Sequence, residues 1–146
     1  MSGAIEPQLE TVLAREVPGF RSLISCVQLT SGASQETFCV TLATTAGERQ
    51  LALRRAPPGA EPAVSAGGIS AATEAELVRL AGEHGVPAPA VIYVLQSRDD
   101  LGEGFVMQWL EGETLGQLIV SADELASVRP RLARQCGEIL GRIHAI

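Results

Sequence analysis

Aromatic residues are nearly missing from this chain of 146 residues: Phe20, Phe38, Tyr93, Phe105 and Trp109 are the whole set. So few flat side chains leave no platform on which to stack single-stranded nucleic acid. Positive charge is short as well. Eleven basic against 17 acidic residues give a formal charge of −6 and a pI near 4.9, which argues against nucleic acid or an anionic membrane as partner. An anionic ligand would need arginines gathered at one spot. The cysteines, Cys26, Cys39 and Cys136, are odd in number and show no paired or zinc-binding spacing. They read as reduced thiols of a cytoplasmic protein, each a small core residue. Met1–Glu6 has neither a basic region nor an apolar run, so no signal peptide is expected. No apolar run approaches the ~18 residues of a membrane span. The dinucleotide glycine fingerprint and the Gly-x-x-x-x-Gly-Lys-Ser/Thr pattern are both missing, which disfavours those nucleotide folds.

With 46% hydrophobic and 19% charged residues the chain can bury an ordinary core. Its length suits one domain or one lobe of a larger one. Leu9, Val12, Leu13 and Val17 recur at helical spacing after Pro7 and before Pro18-Gly19, which predicts a leading helix over about 7–17. Strands are predicted over Ser22–Leu29, Phe38–Leu42 and Gln50–Arg54, an antiparallel meander. A Pro- and Gly-rich connection follows, through Gly68. A helix then begins at Ser70 as N-cap and stops at His84-Gly85. His84 reads as a surface residue facing the helix dipole. Val91–Leu95 and Phe105–Gln108 form two further strands about a polar tip at Ser97–Asp100. Thr114–Ile119 is a short helical piece, and Ser121–Glu124 reads as a capping box. Pro130 opens a last helix with Leu132, Cys136, Ile139, Leu140 and Ile143 on one face, running to Ile146 with no stop signal. The expectation is a chain that is the first part of a longer protein, in which a missing lobe or a partner covers the helix 130–146. His144, alone at its end, carries little weight as a catalytic residue.

The stretch Leu29–Phe38 holds a small polar turn between strands. Gly32 lets the backbone turn tightly, Ala33 keeps the tip small, and Ser31, Ser34, Gln35 and Thr37 add side-chain donors or acceptors. Such a turn can close over a phosphate, although most turns of this composition are plain hairpin connections. In the third strand Ala52 and Arg54 share a face. A small residue with a cation two positions on suits a flat ring under Ala52 and phosphates at Arg54. Glu74 or Glu76 could reach back to fix the guanidinium. Each residue also has a plainer explanation. Arg54 and Arg55 could be edge-strand charges, the two glutamates a solvated helix face, and Met107 core. Glu36 puts negative charge where phosphates would lie, so the nucleotide reading requires it to point away.

The order of these segments resembles the aminoglycoside phosphotransferase-like kinases, distant relatives of protein kinases, from about Leu29 to Ile146. The residues that carry it are Leu29–Phe38, Leu51-Ala52-Leu53-Arg54-Arg55, Glu74 followed by Val86-Pro87-Ala88-Pro89, Gly104-Phe105-Val106-Met107, and Leu140–Ile146. The most similar subgroup is the kinase-like domains found free or fused to acyl-CoA dehydrogenases. The resemblance implies an α+β fold: a protein-kinase-like N-terminal lobe of five antiparallel strands, with a helix between strands 3 and 4, a leading helix, and helices of an incomplete C-terminal lobe. Residues 1–110 would be the nucleotide-binding lobe and 111–146 the hinge exit and opening helices of the second.

By the same resemblance the cofactor would be ATP with Mg²⁺, and the activity transfer of the γ-phosphoryl to a hydroxyl of a small substrate. Ser31–Thr37 would cover the phosphates, with Ser34 the side-chain contact. Arg54 would hold the α- and β-phosphates where many relatives have lysine, and a planar fork grips phosphate differently from an ammonium. Glu74 would pair with it, with Glu76 the alternative. Met107 would abut the adenine. The link Gln108-Trp109-Leu110 would offer the Gln108 carbonyl and the Leu110 N–H to the adenine edge. The family's catalytic and metal-binding aspartates have no counterpart here, so no catalytic or metal residue is assigned and the chain alone is expected to be inactive. The rival reading is a catalytically inactive nucleotide-binding or protein-interaction module on the same fold.

Overall fold

A computed structural model describes residues 5–31, 35–57, 59–60 and 67–146, with residues 30 and 31 described by their backbone only. Helix α1 spans Glu6–Glu16 with proline in its first turn. Three strands follow, β1 Phe20–Ser31, β2 Glu36–Thr44 and β3 Gly47–Arg55, each longer than its apolar segment predicts. Helix α2 spans Ala71–Glu83, and β4 Val91–Val94 and β5 Gly104–Gln108 complete the sheet. All pairings are antiparallel, in the order β1-β2-β3-β5-β4. The central place of β3 removes one explanation for its arginines: they are not edge charges.

The α1 face of the sheet carries the core. Phe38, Val40, Leu42, Leu51, Leu53 and Val106 pack with Leu9, Val12 and Leu13 of the helix. Burial of each such aliphatic side chain contributes about 1.5–3 kcal/mol relative to exposure. The period of two in β2 and β3 and the helical period in α1 thus meet on one side.

Among the described residues the other face is covered only in part, by α2, whose Ala75 is fully buried over the β4–β5 side. Its N-terminus is capped as the sequence predicts: the Ser70 hydroxyl accepts from the Thr73 N–H at 3.1 Å. Its end is set by Gly85 in the left-handed region at φ +75°. His84 lies exposed there with Nδ1 2.9 Å from the Leu80 carbonyl.

Beyond β5 lie α3 Gly116–Ser121 and α4 Arg129–Ile143, joined by a 3-10 turn over Asp123–Leu125. The capping box expected at Ser121 does not form. Ser121 ends α3, and its hydroxyl donates back to the Gln117 carbonyl at 2.7 Å, so it is not free to cap a following helix. Neither α3 nor α4 has a buried residue. Cys26 alone of the three cysteines is buried; Cys39 is half-buried, and Cys136 is exposed on α4, whose apolar face buries no residue fully. No helix among these residues is long and apolar enough to cross a membrane.

Candidate functional site

Strand register assembles the site. Val27, Cys39, Ala52, Met107 and Val91 are cross-strand partners in turn, so they form one row across all five strands on the face away from α1. Ala52 is buried, Cys39, Met107 and Val91 are half-buried, and Val27 is 53% exposed. The row is an open apolar strip. Val27 and Cys39 are not singled out by sequence reasoning. Their signal was the hairpin register, which lines them up with Ala52 once the turn is fixed.

Two residues along β3 the next row begins, with Thr37, Arg54 and Phe105 as partners. Phe105 is buried beneath α2, and Arg54 reaches that helix: its Nη2 lies 3.1 Å from Glu74 Oε1. Glu76, the alternative, instead lies 3.4 Å from Arg79 on its own helix. Gln35 completes a triangle. Its Oε1 accepts from Arg54 Nε, and its Nε2 donates to Glu74 Oε2 at 3.2 Å.

Glu36, one residue further on, turns to the opposite face. There Arg55 donates from Nε to Glu36 Oε2 at 3.0 Å, and its Nη2 lies 3.0 Å from the same oxygen. Arg55 also donates from Nη1 to the Leu101 carbonyl at 3.1 Å and sits 5.6 Å from the Phe38 ring centroid. The negative charge that would have opposed a phosphate is therefore neutralised across the sheet.

Of the turn residues, Gly32, Ala33 and Ser34 lie outside the described residues, and the Ser31 backbone pairs with Glu36. On the flank of the strip away from Arg54 the Gln108 N–H closes the sheet on the Ala90 carbonyl at 2.8 Å. Trp109 Nε1 donates to Glu111 Oε1 at 2.8 Å. Leu110 is 55% exposed, and among the described residues its N–H meets no acceptor. Burial, with the Glu111 charge adding to it, pushes the Cys39 thiol upward, so it stays a neutral wall of the strip. A groove of about 290 Å³ lined by Glu6, Pro7, Glu10, Leu23, Ile24 and Ser25 flanks α1 and shares no residue with this site.

The geometry offers a narrow apolar surface with a paired guanidinium on one flank and an open chain link on the other. The model of the phosphotransferase enzyme family, APH, matches residues 25–146. The chain belongs to that family. No curated protein is similar enough to be counted as a relative. In the phosphotransferase family the five-stranded antiparallel sheet with α2 inserted between β3 and β4 is the kinase-like N-terminal lobe arrangement. The strip can hold a flat ring, and Arg54 Nη1, which meets no acceptor among the described residues, can face an anion. A divalent cation finds less: among the described residues no three His, Cys, Asp or Glu side chains converge.

Proposed function

We propose that this chain is the nucleotide-binding part of an ATP-dependent kinase that phosphorylates a hydroxyl of a small molecule. The observation that carries the reading is the Arg54–Glu74 pair, 3.1 Å apart, in the row next to the Val27–Cys39–Ala52–Met107 strip, beside Ala52. Adenine would lie on the strip against Ala52 and Met107, with its polar edge at Gln108–Leu110. The phosphates would meet Arg54, whose fixed fork suits two phosphate oxygens at once. Mg²⁺, which family members use with ATP, would shield the phosphate charge; its ligands are not assigned to this chain.

In this reading residues 1–110 form the nucleotide lobe and 111–146 lead into the acceptor-binding part, in a cytoplasmic protein. The finer likeness to kinase-like domains associated with acyl-CoA dehydrogenases rests on segment order alone. A second reading, an inactive binding module, is favoured by one observation: α4 leaves Leu140 51% and Ile143 45% exposed, a face suited to a protein partner.

Calorimetry with MgATP and with ADP tests the nucleotide reading. The wild-type chain should give a saturable heat that Arg54→Ala reduces at least about tenfold in affinity, as expected for loss of a charged phosphate contact. No heat in the wild type would overturn it. In a coupled transfer assay this chain alone should give no turnover, and turnover would overturn both readings.

A further inference from the structure

Arg54, Glu74 and Gln35 come from three different elements, β3, α2 and the entry to β2, and close a ring of three contacts. A guanidinium can only donate and a carboxylate can only accept. The Gln35 carboxamide therefore has one workable orientation, oxygen toward Arg54 and nitrogen toward Glu74. Both of its polar ends are committed within the protein, which leaves it poorly suited to touch phosphate directly.

The effect on Arg54 is geometric. With Glu74 alone, the guanidinium could swivel about a single contact. With Nε held by Gln35 and Nη2 held by Glu74, its plane is fixed and Nη1 meets no acceptor among the described residues. A lysine at this position would present a rotationally symmetric ammonium and would need no such third group. We infer that Gln35 is a positioning residue: it fixes the plane of the Arg54 guanidinium against Glu74 so that the remaining donors meet a nucleotide's phosphates in one orientation. The phosphate half of this inference rests on the nucleotide reading above; the orientation of Arg54 does not.

Arginine Nε–H signals in a nitrogen–proton correlation spectrum of the full chain separate the two. All eleven basic side chains are arginine, so the set is small. Arg54 is assigned by its loss in Arg54→Lys, and Arg55, whose Nε–H donates to Glu36 on the other face, serves as internal reference. In Gln35→Ala the Arg54 Nε–H should exchange with water at least about tenfold faster, the loss of one charged hydrogen bond, while Arg55 is unchanged. Affinity for MgADP should fall about tenfold, with affinity for adenosine, which has no phosphate, held within about twofold. Unchanged Arg54 exchange beside an intact Arg55 signal would overturn the inference, as would equal weakening of MgADP and adenosine. Loss of the Arg55 signal would mark an unfolded variant, and Gln35→Met, similar in length and without the amide, then takes its place. No nucleotide heat in the wild type would sink the nucleotide reading while the Arg54 signal still decides the role of Gln35.

Discussion

Gly104 stands opposite Arg55 where β5 meets β3. A Cβ there would lie 2.5 Å from the Arg54 carbonyl oxygen and 2.7 Å from the Arg55 Cβ. Neither backbone nor the pinned Arg55 can give way, because Arg55 is held by Glu36 and by the Leu101 carbonyl. Gly104→Ala should therefore destabilise the protein by about 1–3 kcal/mol, the usual range for overpacking, read as a lower urea midpoint. Gly82 is the control. It lies in the exposed part of α2 with nothing within 4 Å of a built Cβ, so Gly82→Ala should stabilise by about 0.4–1 kcal/mol. Equal effects at the two glycines would contradict the packing argument.

At the scale of elements, α1 is tied to the β4–β5 hairpin by ions as well as by apolar packing. Arg15 Nη2 lies 2.9 Å from both the Tyr93 hydroxyl and Asp99 Oδ1, and the Asp99 side chain is only 1% exposed. Burial alone would raise the Asp99 pKa. The Gln96 N–H at 2.7 Å, with Arg15 and the Tyr93 hydroxyl, outweighs it and holds the carboxyl below its ordinary value. A carboxyl lowered in the folded state stabilises above its unfolded pKa, about 3.9, and loses that contribution as pH falls through the lower folded value. Asp99→Asn should thus be less stable than wild type at neutral pH by roughly 1.5–3 kcal/mol, and the gap should close below about pH 4. Denaturant melts at the two pH values check it; a gap independent of pH would contradict it.

Asp99 also marks where sequence reading ends. Ser97-Arg98-Asp99-Asp100 reads as a polar tip and is a 3-10 turn with one aspartate facing inward. The distant Arg15 joins the local Gln96 N–H in making that burial tolerable, and no local pattern announces a partner 84 positions away. The same holds for Arg55, whose partner on β2 follows from register. By contrast the Ser70 cap, the Gly85 stop and the alternation of Ala52 with Arg54 are local chemistry, and they are legible. Glu74 lay between: its helix was readable, but the choice over Glu76 required the helix's rotation against β3. The Ser121 cap failed for a local reason, since a serine hydroxyl can satisfy its own preceding turn as readily as the next.

On the scale of the whole molecule, stability is concentrated in α1 and the sheet. Helix α4 has no buried residue, and one side-chain bond ties its last turn to the body, Arg142 Nη1 to the Gly85 carbonyl at 2.9 Å. Leu140→Gln should then change the stability of this chain by no more than about 0.5 kcal/mol, like other substitutions outside the core. Leu13→Ala, in the centre of the packed layer, should cost about 2–5 kcal/mol. Comparable losses at both positions, by thermal or urea unfolding, would mean that α4 belongs to the same cooperative unit.

Arg54 and Arg55 are neighbours on one strand, yet each finds its own glutamate on its own side of the sheet. If β3 slid by a single residue against β2, both guanidinium groups would change sides together. Arg54 would enter the layer of Phe38 and Leu13, Arg55 would meet α2, and Leu51 and Leu53 would be turned outward. Two charges would be stranded at once, in addition to the apolar penalty. The doublet therefore works as an error check on strand assembly, penalising a slipped sheet before any ligand is present.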